Sequence, residues 1–153
     1  MQKGNALRAL NFMHMALMMG QILFASVSIY LIYSKTVLPS GTHLDRVLQV
    51  VALVITAGGI FAGTWFFKKK LLQLREMQND AKGKFNIYRL ACIVQWVLLE
   101  GPSIFCIICF FLTGNYAFLA VVVVILFLFA MLAPLKVKVL LQLQISDAEL
   151  DEL

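Results

Sequence analysis

LACIVQWVLLEGPSIFCIICFFL, residues 90–112, decides the fold. A helix needs about 20 apolar residues to cross the hydrocarbon core of a bilayer. This run meets that length, and one charged residue, Glu100, interrupts it. Three further runs of similar length and composition occupy residues 10–33, 47–67 and 116–135. Within lipid every backbone polar group must be satisfied inside the segment, so apolar runs of this length fold as helices. The chain is 61% hydrophobic and 14% charged, against roughly a quarter charged in soluble domains. The sequence therefore predicts an all-α, polytopic membrane four-helix bundle, with residues 1–153 as a single membrane domain. Residues 68–89 form its central loop and residues 136–153 its tail.

The charge pattern orients the bundle. Of the thirteen basic residues, only Lys35 and Arg46 fall in the first loop, and the turn TGNY (113–116) has none. The other eleven lie before the first span, between the second and third, or after the fourth. They include Lys3, Arg8, Lys68, Lys69, Lys70 and Arg89. The positive-inside rule then places both termini and the central loop in the cytoplasm, as expected of a bacterial inner-membrane protein. Lys68–Lys70 read as an anchor for anionic lipid, not as a nucleic-acid surface. Lys3 and Arg8 before an apolar run have the outline of a signal peptide. The run exceeds the 7–15 residues of such a core and lacks a small-x-small cleavage site, so a retained span is expected. The closing LDEL has Leu150 where a retention signal carries Lys or His.

The two halves read as a duplication. Placing Arg8 on Arg89 brings Leu17 onto Leu98, Gly20 onto Gly101, Phe24 onto Phe105 and Leu31 onto Leu112. Leu-Leu-Gln-Leu recurs at Leu71–Leu74 and Leu140–Leu143. Two spans per unit return the chain to its starting side, which makes this a parallel two-helix repeat. Each leucine segment is expected to continue its helix outward. VKVLLQLQI also alternates with period two, but a lone strand has no partner there. Pro134 sets a kink near the end of the fourth span, and NDAKGKFN has the composition of a turn.

Glu100 lies eleven residues past Arg89. At 1.5 Å per residue that is roughly 16 Å, near the middle of the hydrocarbon core. An ionised acid there is costly, so Glu100 is expected neutral or beside a cation or donor. Pro102 has no N–H and frees the carbonyl of Leu98, and Ser103 adds a hydroxyl one turn from Glu100. Glu100, Ser103 and Leu98 thus form the expected ion-binding set, for H+ or Na+. The contrary reading makes Glu100 a structural clamp between helices.

Packing faces are also legible. Asn11, His14, Met18, Gln21, Ala25 and Ser28 recur on one side of the first span. Their counterparts in the third are Cys92, Gln95, Leu99, Pro102, Cys106 and Cys109. Gly58, Gly59 and Gly63 in AGGIFAG give small-residue spacing for close helix approach. Cys106 and Cys109 form a C-x-x-C without a second pair, and read as small hydrophobes. His14 and His43 sit in different environments, so no metal or haem ligand set is expected. No cofactor, phosphate loop or catalytic triad is expected either, and the chain does not read as an enzyme.

ITAGGIFAG, a polar loop and WVLLEGPSIFCIICFFL together resemble the hairpin of the proteolipid c subunits of rotary ATPases. The resemblance covers the middle third of the chain. It implies that Glu100 carries a proton or sodium ion, and that Gly58, Gly59 and Gly63 belong to a Gly-rich partner helix. In duplicated family members the hairpin repeats as a unit; here it straddles the repeat boundary, and Met19 occupies the position equivalent to Glu100. The expected function is a carboxyl ion site in a homo-oligomer or larger ion-translocating complex. The alternatives are a structural or accessory membrane subunit, a small multidrug-type transporter, which the charge bias argues against, and a thiol-redox four-helix enzyme, which the lack of loop cysteines argues against.

Overall fold

A computed structural model of the chain describes residues 5–39, 44–76 and 81–151. Lys3, His43, Asn79 and Asp80 lie outside the described residues. The described residues form helices and no strand: α1 (Asn5–Tyr33), α2 (Asp45–Glu76), α3 (Ala81–Thr113), α4 (Ala117–Met131), α5 (Lys136–Leu143) and the short α6 (Asp147–Asp151). Three of them, α1, α2 and α3, are long and apolar enough to cross a membrane, and α4 with α5 makes a fourth if the bent pair counts as one span.

The helices outrun their apolar stretches. Helical hydrogen bonding does not stop where hydropathy falls, so α2 continues through Lys68–Lys70 to Glu76 and α3 begins at Ala81. Most of residues 68–89, read as a loop, is therefore helix. In NDAKGKFN the part from Ala81 onward is the first turns of α3. The second Leu-Leu-Gln-Leu segment is helical as well, but it sits on a separate helix. Pro134 lacks an N–H and disfavours helical backbone at Ala133, and α5 leaves α4 at 67°.

α3 is the hub. It packs most extensively on α2, then on α4 and α1; α4 also touches α1 and α2. α1 and α2 make no substantial contact with each other. Around α3 the order is α1, α4, α2 and then an open face. The buried residues form two clusters. One, at the lysine-rich end, includes Leu10, Leu74, Trp96, Phe129 and Leu143. The other includes Ala52, Cys106, Phe110 and Phe118.

The outer surface is apolar. Phe12 is 77% and Phe61 73% exposed, among many bare aliphatic and aromatic side chains. Patches of this extent on water-facing proteins are rare; on membrane helices they are the lipid contact. Tyr33 and Tyr116 are exposed at one end. At the other, Trp65 is exposed with the Lys69 ammonium 5.1 Å from its ring centroid. Aromatic residues at both edges are what bilayer interfaces select.

The turn between α3 and α4 is fixed to α2. Gly114 takes φ +71°, a left-handed stop that α3 needs. The Asn115 amide donates to Asp45 Oδ2 at 2.7 Å, and the Gln49 amide donates to the same oxygen at 3.2 Å.

Candidate functional site

Pro102 sits inside α3, so the Leu98 carbonyl one turn before it has no helical donor. α2 meets that gap with Gly59. A β-carbon built on Gly59 would clash with the Leu98 carbonyl oxygen and lie 2.9 Å from Pro102 Cγ. One α-hydrogen of Gly59 occupies that space, an approach that weak C–H···O contacts favour. Gly63, one turn on, lies over Gln95, where an added β-carbon would fit at an ordinary 3.5 Å. Gly58 points away, with nothing within 4 Å of its β position.

Glu100 is half-buried on the edge of the open face of α3. Val97, Gly101, Ile104 and Ile108 form the exposed stripe beside it. Its carboxyl makes no hydrogen bond or ion pair with any described residue. Ser103 is 0% exposed, and its hydroxyl is enclosed without a partner among the described residues. The three groups of the expected ion set are thus placed differently. The Leu98 carbonyl faces α2, the Ser103 hydroxyl is sealed in the core, and Glu100 opens outward.

A polar seam runs through the bundle on the buried side of α3. His14, Gln21 and Ser28 of α1 are all buried, as are Cys92, Gln95, Cys106 and Cys109 of α3. His14 Nε2 donates to the Phe129 carbonyl at 2.9 Å. That ring stacks on Phe129 and meets Trp96 edge-on, with centroids 4.7 Å and 4.9 Å away. His14 is therefore a satisfied core residue that ties α1 to α4. Gln21 is different, because the nitrogen and oxygen of its amide are enclosed with no partner among the described residues. All three cysteines are free thiols. Among the described residues no group of His, Cys, Asp or Glu is arranged to hold a metal ion.

The sequence reading missed Lys138. The bend after α4 folds α5 back, so that Lys138 lines a cavity together with Gln95. Hydropathy alone marks Lys138 only as a tail cation; the signal lay in Pro134, which turns the chain just before it. In comparisons with known proteins, no family model, no curated protein and no solved structure matches this chain.

Proposed function

We propose that this chain is a four-span subunit of a homo-oligomer or larger membrane complex in a bacterial inner membrane, in which Glu100 is a proton-binding carboxyl at the subunit interface. Both termini and the α2–α3 connection lie in the cytoplasm, in line with the crowding of basic residues at that end. The observation that carries the proposal is Glu100 itself, mid-helix and half-buried beside a face that no other described helix covers, with no partner among the described residues. A lone acid in hydrocarbon is expensive, so a donor or a second acid from a neighbouring subunit completes it.

The proton is favoured over Na+. A sodium ion needs several oxygen ligands, and here the Leu98 carbonyl is packed on Gly59 while the Ser103 hydroxyl is enclosed. A neutral carboxyl needs only one or two hydrogen-bond partners. The test is labelling of the assembled protein with dicyclohexylcarbodiimide, which reacts with protonated membrane acids. Glu100 should be modified, and more slowly as pH rises, while Glu100→Gln should keep the oligomer and lose the label. Absence of labelling in the native assembly removes the proton site. Dissociation of the oligomer by Glu100→Gln makes Glu100 the clamp of an accessory subunit.

A further inference from the structure

A cavity of about 310 Å³ lies between α2, α3 and α4, at the low end of the size range of small-molecule sites, roughly 300–1,000 Å³. Its lining is graded along the helix axes. Nearest the lysine-rich end are Thr64 of α2, Gln95 of α3 and Lys138 of α5. One turn further from that end the walls are Ile60, Leu99 and Leu128. Two of the polar groups have capacity to spare. Gln95 is only 4% exposed, yet its amide makes no hydrogen bond with a described residue. Lys138 makes one long bond, to the Met131 carbonyl at 3.4 Å, and no ion pair among the described residues. Its neighbour Lys136 is paired with Asp147 at 3.0 Å. The one hydroxyl proton of Thr64 is already engaged, shared between the Ile60 and Phe61 carbonyls.

A buried amide without a partner and a cation without an anion are both costly beside apolar walls. An occupant that satisfies them carries a negative group, then a polar acceptor, then hydrocarbon. A phospholipid presents those parts in that order along the same axis. We propose that this cavity holds one anionic phospholipid from the leaflet at the lysine-rich end. Its phosphate meets Lys138, a glycerol ester carbonyl accepts from the Gln95 amide, and one acyl chain lies along Ile60, Leu99 and Leu128. The site is on the other side of α2 from the open face of Glu100 and does not depend on what that acid does.

Native mass spectrometry of the full chain, delipidated in mild detergent, tests this with phosphatidylglycerol and phosphatidylcholine of identical acyl chains. One phosphatidylglycerol should be retained per chain, about fivefold over phosphatidylcholine, the effect of one interfacial lysine. Lys138→Gln should abolish the preference and Lys138→Arg should keep it. Leu128→Trp fills the acyl end and should lose the retained lipid, with helicity and melting measured alongside. Lys138→Gln is partly exposed and leaves the core intact, so it decides the matter even if Leu128→Trp does not fold. Lys69→Gln, on the outer surface, should change nothing. Equal retention of the two lipids by the unmodified chain overturns the proposal. So does a preference that survives Lys138→Gln, loss of preference in Lys69→Gln as large as in Lys138→Gln, or displacement of the lipid by inorganic phosphate alone.

Discussion

The carbonyl oxygen of Leu98 crowds the point where a side chain on Gly59 would begin, leaving no room for a β-carbon. A proline in one helix and a glycine in the next are therefore one structural feature. Pro102 removes the donor that would have held this oxygen inside α3, and Gly59 removes the atoms that would have kept α2 away from it. The result is a backbone-close contact between α2 and the hub helix at the level of Pro102.

Gly59→Ala is expected to destabilise the bundle by about 1–3 kcal/mol, the usual cost of overpacking a tight core. The obstructing atom is backbone and cannot swing aside. Gly58→Ala, one residue away, meets nothing within 4 Å, and should be neutral or gain up to about 1 kcal/mol from the better helix former. Thermal unfolding in detergent, followed by circular dichroism, compares the two. Equal melting temperatures for both variants would contradict the placement of Gly59.

How much of this was legible beforehand depends on the kind of signal. The three long spans were marked by apolar runs, but their ends were not. Hydropathy reports where lipid stops, and helices such as α2 continue past Trp65 and Lys68 because their backbone bonds do not need lipid. Stripes at three- and four-residue spacing placed His14, Gln21, Gln95 and Cys106 on buried faces, since periodicity reads directions around one helix. It does not read distances between helices. Ser103 and Glu100 looked like neighbours on α3, yet one is enclosed and the other opens outward. Which side of a helix a partner covers is set by the whole packing order. Lys138 escaped for a similar reason, because its place beside Gln95 follows from the 67° bend at the end of α4.

The C-terminal α6 should dock in a pH-dependent way. Ser146 and Glu149 form a capping box: the Ser146 amide and hydroxyl each donate to Glu149 Oε2 at 2.8 Å. The Ser146 amide, then its hydroxyl and, more weakly, Lys84 hold the Glu149 carboxyl below the ordinary glutamate range. A group depressed in the folded state contributes to folding above its unfolded value and loses that contribution as pH falls through its folded value. Leu150, 3% exposed against the core, should thus stay docked at neutral pH and loosen only as pH falls below the ordinary glutamate range. Hydrogen exchange at the Leu150 amide, which donates to the Ser146 carbonyl, reports the change. Glu149→Gln should make that exchange free of this dependence.

Ser103 separates a proton site from a cation cage. Its hydroxyl is enclosed and unpaired among the described residues, and an unsatisfied buried group of this kind costs about 1–3 kcal/mol. Ser103→Ala removes the group and leaves a void of one oxygen, so stability should stay level or rise by up to roughly 1 kcal/mol. If Glu100 binds only a proton, the same variant keeps its carbodiimide labelling, and added Na+ gives no protection with either alanine or serine at this position. A cage that recruits Ser103 when subunits assemble behaves oppositely: Na+ then slows labelling of the unmodified protein, and Ser103→Ala abolishes that protection. The two outcomes differ in a reaction at Glu100 itself, so a change in stability alone cannot mimic either one.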